Sequence, residues 1–259
     1  MSEITERAVA TPNGPARVWE KGAGSQLGFL AGLGGLPAWL PALDALAKSR
    51  KVVAPSLPGF PGGGDYEPLD DIFDWSLAAI DLVEAAGLKG CDLVGASVGA
   101  ALAAEVAALR PDLVRRLVLI APFGLFDATV PLADVFAQKP GAQSSVLSVD
   151  PAAYDAYGRR PNDADELDWT LMQARAEMAA ARILWPLGET GLRKRLCRIA
   201  QPTLIIWGAD DRVIPPSYAA MFAKAIAGKT KIVTIPGAGH KVEFDAPEAV
   251  AAAIAEFVA

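Results

Sequence analysis

A chain of 259 residues, 52% hydrophobic and 21% charged, is long enough for one large domain with a sizeable core and too apolar for disorder. Its formal net charge of -6, with Lys and Arg scattered apart from "RKR" at 193–195, leaves no basic footprint for a phosphate backbone and argues against nucleic acid as a partner. No apolar run approaches a membrane span, and the opening "MSEITERAVATPNG" has neither a basic nor an apolar leader region, so the expectation is a soluble cytoplasmic protein without a membrane partner.

Residues 7–20 read as two short strands around the breaker-rich turn "TPNGP". Beyond them, "QLGFLA" (26–31), "KVVAP" (51–55), "CDLVG" (91–95), "RRLVLIAP" (115–122), "PTLIIWG" (202–208) and "TKIVTIP" (230–236) are short apolar runs bounded by breakers, as expected of strands buried on both faces. Helical spacing recurs near 40–49, 68–86, 97–110, 215–227 and 246–258. This alternation predicts an α/β fold, a mostly parallel sheet with helices on both faces. At the last helix, Asp245 is the expected N-terminal cap, Glu248 completes a capping box and Pro247 falls in the first turn.

The alternation breaks after the sixth strand, where residues 123–198 form an insertion expected to be a helical cap over a core made of 1–122 and 199–259. Within it, "NDADELDWTLMQARAEMAAARILW" carries Leu167, Leu171, Ala174, Met178, Ala181 and Trp185 at helical spacing, with Asn162 or Asp163 as the cap. The stripe is expected to pack against the main domain. Some apolar side chains there would also line a binding cavity, and Trp39, Phe123, Trp169, Met172 and Trp185 are the expected substrate contacts. Arg175 and Arg182, seven apart, share a helix face and are expected to be solvated or paired with acids such as Glu177.

With a single His and only Cys91 and Cys197 as thiols, the sequence offers little from which to build a metal site, and neither metal nor cofactor is expected. Both cysteines are read as reduced core thiols rather than a disulfide. Chemistry concentrates elsewhere. "LVGASVGAALAAEVAALR" (93–110) sets Ser97 between Gly95 and Gly99 where a strand gives way to a helix. By itself the pattern is equally well explained by small residues at a crowded corner. A serine held at such an apex is also where a nucleophile would stand, with the N–H of Val98 at the helix start able to stabilise an oxyanion. A serine needs a base, and His240 is the one imidazole, on a Gly-flanked loop after the last strand. The base needs an orienting carboxylate, and "IIWGADDRVIPP" offers Asp210 or Asp211 after the preceding strand.

The order nucleophile, acid, histidine, each on a loop after a strand, resembles the α/β-hydrolase family over nearly the whole chain. The family's G-x-x-D-R-x-x-P pattern matches Gly208, Asp211, Arg212 and Pro215 and selects Asp211; its G-H motif with a later acid and Pro matches Gly239, His240, Asp245 and Pro247. The resemblance implies that the second oxyanion donor is the Leu33 N–H in Ala31-Gly32-Leu33-Gly34-Gly35, where Ala31 replaces the usual histidine. It further implies a serine hydrolase with Ser97, His240 and Asp211 as its triad, acting without a cofactor on a small to medium, partly hydrophobic ester or lactone. Serine at position 97 argues against the dehalogenases and epoxide hydrolases of this fold, which need a carboxylate there. Carbon–carbon bond hydrolases of the meta-cleavage type rank second, because they usually place Trp directly after the histidine and this chain has Lys241. A ligand receptor retaining the triad is the alternative of a different class.

Overall fold

The two short strands and the six apolar runs all form strands in the computed structural model, which describes residues 3–139 and 142–259. They are β1 (Thr5–Thr11), β2 (Gly14–Lys21), β3 (Gln26–Leu30), β4 (Lys51–Pro55), β5 (Cys91–Ala96), β6 (Val114–Ile120), β7 (Thr203–Gly208) and β8 (Thr230–Ile235). One sheet holds them in the order β1-β2-β4-β3-β5-β6-β7-β8. β1 and β2 pair antiparallel, as do β2 and β4, and every other neighbouring pair is parallel. Every residue of β5 and β7 is buried, and since alternate side chains point to opposite faces, both faces of the sheet centre are covered. β8 departs from the expected pattern: it is an edge strand, and Ile232 is 42% exposed.

The helices are α1 (Pro41–Leu46), α2 (Ile72–Ala85), α3 (Ser97–Leu109), α4 (Gln143–Leu147), α5 (Pro151–Tyr157), α6 (Glu166–Leu184), α7 (Arg193–Leu196), α8 (Tyr218–Ala225), α9 (Val242–Asp245) and α10 (Pro247–Phe257). α1 packs on α10, and α2 on α3, which in turn lies on β5 and β6. α3 is buried along almost its whole length, and its alanines let it lie close to the strands. α4 to α7 all fall between β6 and β7, the stretch where the sequence alternation lapses.

That stretch corrects several expectations. α6 is capped by Asp165, whose carboxylate accepts from the Leu167 and Asp168 N–H groups, rather than by Asn162 or Asp163. Its apolar stripe faces away from the core: Leu167, Leu171, Met178 and Trp185 are all exposed, and the buried residues are Ala176, Ala179, Ala180, Ile183 and Leu184. At about 100° per residue these sets lie on opposite sides of the helix. The alanine face wins because close approach is needed there; a Cβ built on Gly59 would stand 2.6 Å from the Ala179 Cβ, leaving no room for a longer side chain. At the last helix Pro247 is in the first turn as expected, but the N-cap is Ala246 and no side chain caps it. Asp245 instead accepts hydrogen bonds from Gly239 N–H, Val149 N–H and Ser148 Oγ. Both cysteines are unpaired; Cys91 is buried, whereas Cys197 is exposed and not a core thiol. Burial pushes the Cys91 thiol up to about 11. Among the described residues no helix is long and apolar enough to cross a membrane.

Candidate active site

Ser97 begins α3 directly after Ala96 ends β5, with no intervening residue, at a φ of 54°. Only Ala121 shares a positive φ among the described non-glycine residues, and such a conformation costs about 1–3 kcal/mol unless its surroundings impose it. Here two glycines impose it. A Cβ on Gly95 would lie 2.4 Å from the Gly99 carbonyl oxygen, and one on Gly99 would lie 2.4 Å from the carbonyl oxygens of Leu30 and Ala31. These are backbone atoms that cannot step aside, so the strand and helix can meet this sharply only with both side chains absent.

The carboxyl ends of β7 and β8 bring in the other groups. His240 Nε2 lies 2.8 Å from Ser97 Oγ, and its Nδ1 lies 3.0 Å from Asp211 Oδ2. A carboxylate can only accept, so Asp211 selects the tautomer with the proton on Nδ1 and leaves Nε2 to accept from the Ser97 hydroxyl. Asp211 is itself fixed through Oδ1, which accepts from Val213 N–H at 2.8 Å and Ile214 N–H at 2.9 Å. Asp210 is exposed and makes no such contact with the imidazole. Ser97 and His240 are each 1% exposed, and the Phe123 ring meets the imidazole edge-on at 5.3 Å between centroids. The arrangement can draw the Ser97 proton onto His240 in a nearly dry environment, where the resulting charge pair is least screened.

The loop after β3 reaches the same point. A Cβ on Gly32 would stand 2.8 Å from the Ser97 Cβ, so the backbone leading into Leu33 lies directly against the serine. Gly34 and Gly35 take φ values of 79° and 65°, and Gly35 N–H bonds the Gly32 carbonyl at 2.9 Å to close the turn. Val98 follows Ser97 in the first turn of α3, and both Leu33 and Val98 are buried.

A cavity of about 520 Å³ opens beside this loop. Its walls are residues 31–37, then Lys241, Glu243 and Phe244, and from the β6–β7 segment Phe136, Leu147, Tyr154, Tyr157, Met172 and Gln173 among others. Met172 is the expected substrate contact that lies on this wall. Phe123 is not on it but lies against His240. Trp39 is half-buried off the wall, meeting Trp19 edge-on and donating to Asp44; Trp169 is half-buried and off the wall; Trp185 is 61% exposed. Arg175 and Arg182 also point elsewhere, to Gly64 and Asp65 and to Asp70 respectively. Neither Ser97 nor His240 is on the wall, so the cavity adjoins the serine across the β3 loop.

Several residues escaped the sequence reading. Tyr154, Tyr157 and Phe244 form an aromatic cluster with centroid separations of 5.3–6.4 Å, signalled in the sequence only by two tyrosines three apart. Burial pushes the Tyr157 hydroxyl above its ordinary range, and it donates to the Ala38 carbonyl at 2.6 Å. Glu243 is buried on the cavity wall, and desolvation raises its carboxyl, opposed by the charge of Lys241. A strap after α4 is tied to the histidine loop: Lys241 N–H donates to the Leu147 carbonyl at 2.9 Å, and Asp245 holds Ser148 and Val149. These pairs lie far apart in the chain, and no local pattern announces them.

Comparison with known proteins gives a consistent picture. Residues 29–253 match the model of the alpha/beta hydrolase family. The chain is 29% identical to a 2-hydroxymuconate semialdehyde hydrolase of a Pseudomonas species, over 93% of this chain and 89% of that protein. It is 32% identical to a 2-hydroxy-6-oxo-2,4-heptadienoate hydrolase of Pseudomonas putida, over 75% of each chain. Among solved structures it resembles a serine hydrolase involved in carbazole degradation, with a TM-score of 0.81 at 22% identity over 99% of both chains.

Proposed function

The chain belongs to the alpha/beta hydrolase family, and we propose that within it this protein is a serine hydrolase that cleaves a carboxylic ester or lactone of a small to medium, partly hydrophobic substrate. The observation that carries this reading is the unbroken relay from Ser97 Oγ to His240 at 2.8 Å and on to Asp211 at 3.0 Å, on the carboxyl edge of the sheet. Ser97 Oγ attacks the carbonyl carbon while its proton passes to His240 Nε2. The N–H groups of Leu33 and Val98 hold the oxyanion. On collapse the alcohol leaves with the proton from His240, and an acyl-enzyme remains on Ser97. Water, giving a proton to His240, then attacks the acyl carbon; the acid departs and Ser97 regains its hydrogen. Residues 123–198 serve as the cap that encloses the substrate, with Met172 and the tyrosine cluster supplying apolar contact.

A second reading is hydrolysis of a carbon–carbon bond by the same relay. It is favoured by the likeness to hydrolases of 2-hydroxymuconate semialdehyde and 2-hydroxy-6-oxo-2,4-heptadienoate. Lys241, in the position after the histidine where that group usually has Trp, tells against it.

A series of p-nitrophenyl esters from acetate to longer acyl chains, with Ser97→Ala as the blank, tests the choice. Turnover that vanishes in the folded Ser97→Ala protein supports the esterase reading, and the optimal acyl length sizes the cavity. A folded wild-type protein that spares every ester but hydrolyses a vinylogous diketo acid moves the assignment to carbon–carbon cleavage. Ester turnover persisting near the wild-type rate in Ser97→Ala removes Ser97 from the mechanism altogether.

A further inference from the structure

The loop expected to carry an oxyanion donor lacks its usual support. Ala31 stands where the family resemblance places a histidine, and Gly32, Gly34 and Gly35 surround Leu33 with residues that restrain nothing by themselves. Arg17 holds the Leu36 carbonyl at 2.8 Å, but that contact lies beyond the glycines. Among the described residues, the side chain that hydrogen-bonds Leu33 is Lys241, whose Nζ donates to the Leu33 carbonyl at 2.5 Å across 208 residues of chain.

Lys241 is 4% exposed, and an ammonium removed from water costs several kcal/mol unless its surroundings compensate. Here the compensation is a charge-assisted bond to one carbonyl and the face of the Tyr154 ring at 5.6 Å, with the Glu243 carboxyl nearby. Among the described residues Lys241 makes no ion pair with a carboxylate. Its own backbone is immobilised as well, since it follows His240 directly and its N–H bonds Leu147. The side chain is thus a strut from the histidine loop to the loop beside Ser97.

We propose that Lys241 is a positioning residue that replaces the missing histidine brace: by fixing the Leu33–Gly34 peptide it holds Leu33, and so the N–H on the preceding Gly32–Leu33 peptide, in register with Ser97 for oxyanion binding. The inference rests on the acyl-transfer reading above. Since the strut acts on a donor used in the transition state, its loss should lower kcat and leave KM nearly unchanged.

Lys241→Met keeps the length and removes the donor; Lys241→Gln keeps a neutral donor on a shorter stem. On the best p-nitrophenyl ester, kcat of Lys241→Met is expected to fall about 10- to 100-fold, less than the ~100- to 1,000-fold typical of deleting an oxyanion donor outright, with KM within about threefold and Tm showing folded protein. Lys241→Gln is expected to fall between that variant and the wild type, and it carries the test alone if the Met protein does not fold. A folded variant with wild-type kcat overturns the strut, and so does a rise in KM at constant kcat, which would make Lys241 a substrate contact. Labelling of the wild-type serine by a fluorophosphonate is scored separately: its absence removes the acyl-transfer reading and the strut with it, whereas labelling with unaltered kcat in the variants removes the strut alone.

Discussion

The corner between β5 and α3 and the segment between β6 and β7 are both needed to build the site, but different forces hold them. At the corner, backbone atoms come so close that Gly95 and Gly99 admit no side chain, and Ser97 is forced into its positive-φ apex geometry. The segment is held largely by side chains, with a few backbone bonds such as that from Lys241 N–H to the Leu147 carbonyl. α6 lies on the core through alanines, with ion pairs from Arg175 and Arg182 to exposed carboxylates, a type of contact worth at most about 1 kcal/mol. α7 is tied down more firmly by Arg195, which bonds both oxygens of the buried Glu105 at 2.5 Å. The difference suits the work of each part: the reacting groups need fixed relative positions, whereas a cavity wall tolerates substitution and adjustment.

The contrast can be broken first at the corner. Gly99→Ala pushes a methyl group into two backbone carbonyls, and the expected cost is about 3 kcal/mol, a Tm drop on the order of 10 °C for a chain this long, with activity lost even in the cold. A thermal melt with wild-type Tm would show that the corner is less constrained than its contacts indicate. A smaller effect belongs to Glu243, whose burial raises its carboxyl above the ordinary 4.5. The folded state then binds the proton more tightly than the unfolded one, so the stabilisation is fully present below the ordinary carboxyl value and is lost as pH rises through the folded value. As pH rises above the ordinary carboxyl range, the wild-type Tm should therefore decline more steeply than that of Glu243→Gln. Parallel Tm curves would contradict the raised carboxyl. The smallest change is expected on the outer face of α6, where Leu171→Gln should alter stability by no more than about 0.5 kcal/mol in a urea titration. A loss of 2 kcal/mol or more, on the order of a buried leucine's contribution, would mean that this face is covered.

The same contrast explains what could be read from the sequence. Strands packed on both faces must be continuous apolar runs, and steric crowding admits only small residues around Ser97, so both leave local marks. The histidine and acid loops are marked by Gly208, Asp211, Gly239 and His240 at fixed places after strands. The face of α6 was illegible for a physical reason: hydrophobic periodicity assumes that large apolar residues point inward, whereas the required closeness to Gly59 gave the inner face to alanine and left Leu167, Leu171 and Met178 outside. Asp245 illustrates a second limit. Its position before Pro247 fits a cap, but the Gly239 and Val149 N–H groups and the Ser148 hydroxyl, remote in sequence or unmarked by pattern, compete for its carboxylate. Lys241 shows the third, since nothing near it in sequence announces a bond to Leu33.

The central claim is that Ser97 is a nucleophile activated by His240, and the most direct measurement is covalent labelling by a fluorophosphonate followed by peptide mapping. The account predicts a single adduct, on Ser97, absent from the folded Ser97→Ala protein and formed far more slowly by a folded His240→Ala protein. An adduct on another residue, or no adduct at all on folded wild-type protein, would contradict it.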